Sequence, residues 1–417
     1  MINYRAGTVR NRVGSGAVAA LGLIGFATIL IAFGQVVGWN ATWRAFGVTP
    51  LQPPFFDMHV INDYAACAAR GVEPYAPRSC SGVNFNIPPT WLWLGRLGID
   101  GADSAWMSVV MIGAAAIVMV MLFCGGPWPN GVLALAALVS PSVMMGVERG
   151  NLDLLILTLV GASALIYDER KVARSLAAVG LLSLGIALKL FPMFCVALVA
   201  RFSGRVFAVA CLIAAIGCAF LIATFQYVVL IRANVPTTFI LSYGYKAIFL
   251  GIDHMLDEAG FSPWQLANTW LPILTTVSVL ACALAIAVRG VFNEREFCSI
   301  DRSSAGTAFL FGAGIYCGTY LLGTNFIYRL MFLLLCIPQL LDWLIQKSQN
   351  AGSIPEASLL ATVLGVLWLN GNANGHTTFL LLPQLLNWLL FFFLAAVLIS
   401  NFLRRIRVSM SSKKGDP

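Results

Sequence analysis

Apolar runs of membrane-spanning length recur along the whole chain, the first from Val13 to Trp39 and the last from Phe379 to Phe402, and a soluble domain has no interior large enough to hide them. Of the 417 residues 59% are hydrophobic and 11% charged, and the mean hydropathy is +0.83. The expected fold class is therefore an all-α polytopic membrane protein of about twelve transmembrane helices, some of them short. The N-terminal MINYRAGTVRNR is basic, and the apolar run behind it is too long for a signal-peptide core and lacks a small-residue cleavage site, so it is expected to stay as the first span. No internal repeat, linker or separate soluble domain interrupts the pattern, which makes residues 1–417 one integral membrane domain.

Charge fixes the expected orientation, because cytoplasmic loops carry the excess of Lys and Arg. Arg5, Arg10 and Arg12 put the N-terminus inside, as do Arg170, Lys171 and Arg174 for the YDERKVAR loop and the basic residues of RGVFNEREFCSIDR for the segment after Arg289. The tail from 403 to 417, with RRIRVSMSSKK, returns inside, so both termini are cytoplasmic. The net charge of +8 is explained by this gathering on one face, and nothing in it suggests a nucleic-acid partner.

The apolar run Ser175 to Ala200 breaks this scheme if it is one span, since Arg201 and Arg205 then fall outside. A hairpin restores it: two short arms of roughly 12 to 14 residues bent at Lys189-Leu190-Phe191-Pro192, too short to cross a ~30 Å core. The remaining internal polar clusters then reach the outer face. These are the first outer loop (40–104), the ERGNLD turn (Glu148 to Asp153), Lys189, the second outer loop (231–266), Tyr328-Arg329 and the NGNANGH turn ending at His376.

Within the first outer loop, FFDMHVINDYAACAARGVEPYAPRSCSGVNFNIPP is the longest polar stretch of the first half. Asp57 opens a helical pattern there that Gly71 ends. A helix N-terminus favours the carboxylate and burial opposes it, a balance that suits a general base, while a plain N-cap is the simpler alternative. His59 and Asp63, four residues apart, share a helix face and offer an acyl-transfer dyad or only a polar surface. Cys67 and Cys80 are either a disulfide or two thiols. The three histidines, His59, His254 and His376, are scattered and no Cys/His spacing fits a metal, so neither a metal site nor a cofactor is expected, although an outer-face carboxylate with a lipid phosphate could still recruit a divalent ion. A lipid flippase or transporter is the alternative of a different class, against which stand the lack of repeated halves and of charges at midplane depth.

The string DMHVINDYAACAARGVEPY followed by FNIPP resembles the first outer loop of the bacterial polyprenol-phosphate-dependent glycosyltransferases of family 87, which have the type C fold. Asp57 matches that family's loop Asp, Tyr64-Ala65-Ala66 its helix, Gly71 with Pro74-Tyr75 its turn and Pro88-Pro89 its Pro pair. Gly150-Asn151 resembles its Gly-Gln-x-Asn turn, Lys189 with Pro192 its Lys-x-x-Pro hairpin, and Tyr328-Arg329 a tyrosine-arginine pair. Ile87, Arg149 and Ile327 depart from the pattern.

The resemblance implies an enzyme of the bacterial inner membrane, active on its outer side. It would move a sugar, a mannose-like hexose, from a polyprenyl phosphate donor to a hydroxyl of a glycolipid, polysaccharide or protein, with inversion. Asp57 is then the base; Lys189, Arg329 and Arg149 hold the donor phosphate; and Tyr64, Tyr75, Asn151, Tyr328 and Glu148 bind substrate. Each has a plainer alternative: Lys189 snorkelling, Glu148-Arg149-Asp153 locking their own turn, and Tyr328-Arg329 anchoring at the interface.

Overall fold

A computed structural model describes residues 14–201, 204–235, 238–261, 265–290, 300, 302–348, 354–370 and 377–412. The arginines of the basic N-terminus, the 291–299 segment, the NGNANGH turn from 371 with its His376, and Lys413 with Lys414 lie outside these residues. Among the described residues the chain is all-α apart from one two-stranded antiparallel ladder, Ser242–Tyr243 against Asn325–Phe326, with Ser242 opposite Phe326 and Tyr243 opposite Asn325.

Six helices among the described residues are long and apolar enough to cross a bilayer: Ser15–Val37, Gly101–Phe123, Gly204–Ala223, Leu271–Arg289, Ile327–Ile345 and Leu381–Arg407. A seventh arises if Trp128–Leu138 and Pro141–Glu148, bent by 55°, form one broken span. Other apolar runs form shorter helices, Asp153–Ile166, Val172–Leu188, Phe191–Ala200 and Glu356–Leu369. At 1.5 Å per residue such helices cover only part of a ~30 Å core.

The helices sort into centre and periphery. In Ser15–Val37, Gly204–Ala223 and Leu271–Arg289 only 17 to 22% of the apolar window is buried, whereas in Ile327–Ile345 it is 83%. The first three therefore present their apolar surface to lipid, and the last runs through the protein. Ser304–Tyr320 is buried on nearly every side, as an evenly apolar helix must be, and packs against the 191–201 and 327–336 segments.

A break falls at Lys189, between arms of other lengths than expected. Val172–Leu188 is a regular helix of 17 residues, Lys189 is extended at φ −162°, and Phe191–Arg201 continues as an 11-residue 3-10 helix. Pro192 has no N–H to give and restricts the residue before it, so the α-helix cannot run through. The apolar run from Val206 to Leu230, continuous in the sequence, is also broken, at Thr224, into Gly204–Ala223 and Phe225–Asn234.

The segment from 40 to 104 is built on the helix Phe56–Ala69, which lies across the short 89–96 and 101–103 turns. The contact is close enough that a Cβ on Gly95 would stand 1.9 Å from the Ala65 carbonyl oxygen. Tyr64, Tyr75 and Phe85 form a small aromatic core between that helix and the returning chain, so the loop is a folded lid element held to the helical body.

Candidate active site

One cavity of about 400 Å3 opens where several of these elements end. Asp57 comes from the first turn of Phe56–Ala69, Arg149 and Asn151 from the turn between Pro141–Glu148 and Asp153–Ile166, Lys189 from the hairpin bend, and Tyr328 and Arg329 from the segment after the short ladder. The sequence scatters these residues over 270 positions, and the ends of the helices bring them together.

The turn is shaped by Gly150 at φ +57°, a left-handed conformation that costs other residues strain. A Cβ there would meet Ser108 Oγ at 2.1 Å and Phe55 Cβ at 3.0 Å. Gly150→Ala is therefore expected to displace Asn151 and lower activity at least as much as it lowers stability. Parallel melting and activity curves check this, and wild-type values for both would refute it. The same turn carries the backbone bond that seats the catalytic candidate, from the Asp57 N–H to the Arg149 carbonyl at 3.0 Å.

Asn151 is the hinge of the carboxylate cluster. Its Nδ2 donates to Asp57 Oδ2, and its Oδ1 accepts the Asp153 N–H at 2.9 Å. Asp57 thus receives an amide hydrogen bond and, among the described residues, makes no ion pair. Burial pushes its carboxyl above the ordinary range; Arg149, the Asn151 bond and Lys189 pull it back and Asp153 pushes it up again, with a net rise. A partly desolvated carboxylate of raised basicity facing a cavity is suited to taking a proton.

Behind it lies a cationic group. The Lys189 ammonium donates to Asp153 Oδ1, and the Arg329 guanidinium lies 3.5 Å from Asp153 Oδ2 while its Nη1 donates to Asn325 Oδ1. Asp153 is wholly buried, and its single charge is shared between two cations. Both cations also lie over the Phe191 ring, Arg329 at 4.3 Å and Lys189 at 5.7 Å.

Arg149 is different again. It is 7% exposed, its Nε finds no hydrogen-bond partner, and its guanidinium lies 5.8 Å from the ring centres of both Phe326 and Tyr328. A buried guanidinium held by aromatic faces, with no carboxylate in contact among the described residues, leaves its fork of donors for an anion from outside.

The local turn lock of Glu148, Arg149 and Asp153 does not form. Glu148 is buried and accepts the Leu51 N–H at 2.8 Å, and Asp153 serves Lys189 and Arg329. Of the residues expected to bind substrate, Asn151 and Tyr328 line the cavity, and Tyr64, Tyr75 and Glu148 do not. The Tyr64 hydroxyl donates to the Val83 carbonyl and that of Tyr75 to the Ile87 carbonyl at 2.8 Å, so both tyrosines brace the lid whose far side, Gly82 to Asn84, forms the cavity wall. His59 and Asp63 do pair, at 3.2 Å, but the other ring nitrogen faces the Gly101 carbonyl at 3.1 Å and neither residue lines the cavity. Asn325 is not named by the sequence reading, which takes Asp153 only as part of a turn lock and Phe191 only as part of the bend; the partners of Asp153, Lys189 and Arg329, are both remote in sequence.

Among the described residues no group of three or more His, Cys, Asp and Glu is placed to hold a metal. Cys67 and Cys80 are both free thiols. Comparison with known proteins returns no matching family model, no matching curated protein and no matching solved structure.

Proposed function

We propose that the protein is a membrane glycosyltransferase of the type C class, taking a sugar, a mannose-like hexose, from a polyprenyl phosphate donor and passing it to an acceptor hydroxyl on the outer face of a bacterial inner membrane. The observation that carries this is the division of one cavity between a carboxylate bonded by an amide and a cluster of basic side chains with spare positive charge. Further support comes from the likeness of the first loop to family 87.

In the proposed reaction the acceptor oxygen attacks the anomeric carbon as the bond from that carbon to the phosphate oxygen breaks. Asp57 takes the acceptor proton and becomes neutral, which its raised pKa favours. The phosphate departs still attached to its lipid, gaining a negative charge that Arg149, Lys189 and Arg329 stabilise in place of an acid. Attack from the face opposite the leaving group inverts the anomeric configuration. The acceptor is a glycolipid, polysaccharide or protein hydroxyl.

Two experiments test this. Purified protein in lipid, given labelled sugar on a panel of synthetic polyprenyl phosphates and membrane extract as acceptor, is expected to transfer label from one donor. Movement of intact donor across proteoliposomes without any transfer would instead make it a flippase. Arg149→Ala should raise the KM for the donor about 10- to 100-fold, the range of a charge-assisted hydrogen bond to phosphate. An unchanged donor KM would remove Arg149 from the phosphate site.

A further inference from the structure

Among the described residues four side-chain amides line the cavity, those of Asn84, Asn86, Asn151 and Asn234, and three of them are engaged within the protein. Asn151 joins Asp57 to Asp153. The Asn84 Oδ1 accepts the Arg78 N–H at 3.2 Å, and the Asn234 Nδ2 donates to the Phe85 carbonyl at 3.1 Å. Asn86 is half-buried, and among the described residues its amide makes no hydrogen bond.

The backbone that carries this free amide is held on both sides. Phe85 is 1% exposed, and its ring centre lies 4.8 Å from that of Tyr64 and 5.3 Å from that of Tyr75. Its carbonyl is the one that Asn234 grips. On the other side the Tyr75 hydroxyl donates to the Ile87 carbonyl at 2.8 Å, and Pro88 and Pro89 follow with their restricted φ. A polar side chain with both hydrogen-bonding ends free, on a fixed mount at a cavity wall, is the kind of group that orients a ligand.

The charged groups of the proposed site serve the phosphate and the acceptor proton, which leaves the hydroxyls of the sugar without partners. A ring held only through its phosphate turns about the bonds to that phosphate, and in-line attack needs the ring held at a second point. A primary amide donates through its nitrogen and accepts through its oxygen, a pair of bonds that two neighbouring hydroxyls of a sugar complete.

We infer that Asn86 is the specificity-determining residue for a sugar ring in this cavity, its Nδ2 donating to one ring hydroxyl and its Oδ1 accepting from the neighbouring one. The inference rests on the transferase reading above and assigns the hydroxyl pair to the sugar being moved; a sugar of the acceptor is the other source of the same chemistry. A ring that lacks either hydroxyl, or presents it in the other configuration, leaves one end of the amide unpaired and binds less tightly.

The test is equilibrium binding to the purified full chain in lipid, with polyprenyl phosphate mannose and sugarless polyprenyl phosphate as probes. Asn86→Ala removes no bond that the wall uses and should melt as the wild type does. It should weaken binding of the sugar-bearing lipid about 10-fold and leave the sugarless lipid unchanged. A mannose donor lacking one hydroxyl of the pair should bind the wild type correspondingly less tightly and the variant no worse than the complete donor. Equal loss of both lipids would show that Asn86 only braces the wall, and overturns the inference. Unchanged binding of both sends the test to transfer kinetics: a rise in the acceptor KM alone keeps the inference and gives the hydroxyl pair to the acceptor, and wild-type kinetics overturns it. If the wild type binds neither lipid, the transferase reading fails and takes the inference with it.

Discussion

Asp57→Asn is expected to lower sugar transfer by about 10²- to 10⁴-fold, the contribution of a positioned general base, while donor binding survives. The amide has the shape of the carboxylate and keeps an oxygen to accept the Asn151 Nδ2 hydrogen, so the turn, the Asp153 cluster and Arg149 stay where they are. Only the proton acceptor is lost. The pH dependence follows from the same environment. The base works when ionised, so activity should rise with pH through a pKa above the ordinary carboxylate range, and that limb should vanish from the residual activity of the variant.

Stability should move the other way. A carboxyl whose pKa is higher folded than unfolded binds more protons in the folded state, so its contribution falls as pH rises from 3.8 through the folded value. At neutral pH the ionised Asp57 is thus a cost to the fold, and Asp57→Asn should melt at the same temperature as the wild type or higher. A variant that is inactive because it has unfolded would melt lower, which separates the two causes.

Asp153→Ala should do the opposite, removing the fold before the chemistry. Asp153 is wholly buried at the start of Asp153–Ile166, and its two oxygens meet Lys189 and Arg329, whose side chains are 13 and 14% exposed. Deleting it leaves two desolvated cations facing each other, and breaking a buried ion pair from one side costs about 3–5 kcal/mol. Melting in detergent should fall sharply, and whatever protein survives should bind donor poorly because Lys189 and Arg329 repel one another. Lys189→Met should cost less, since Asp153 keeps Arg329. Equal melting temperatures for Asp153→Ala and the wild type would show that the cluster is not the keystone of this end of the bundle.

The part of this site that could be read in the sequence is the part set by local chain geometry. Asp57 follows a Pro pair and opens a helix, and Lys189 precedes a proline that an α-helix cannot pass; both constraints act within a few residues, and both positions line the cavity. Asp153 was hidden for the opposite reason. Its nearest charges in sequence, Glu148 and Arg149, suggest a local lock, but Gly150 in the left-handed region turns Arg149 toward Phe326 and Tyr328, and the true partners come from 36 and 176 positions away. Tyr64 and Tyr75 show that a motif match gives position more readily than contact, because a tyrosine in a lid braces it or faces the substrate according to which side of the lid it lies on. The span count has the same root. Apolar runs from Val206 to Leu230 and from Ser175 to Ala200 look continuous in composition, and the breaks at Thr224 and Lys189 are backbone events that hydropathy does not register.

The most direct measurement is the anomeric configuration of the product formed by purified protein from a single polyprenyl phosphate sugar of known anomer, followed by NMR alongside Asp57→Asn. A glycosyltransferase using Asp57 as base gives product of the inverted configuration with the wild type and almost none with the variant. Product of retained configuration, or transfer that Asp57→Asn leaves unchanged, would contradict the assignment of that carboxylate, and donor consumed by no route except passage across the bilayer would contradict the reaction itself.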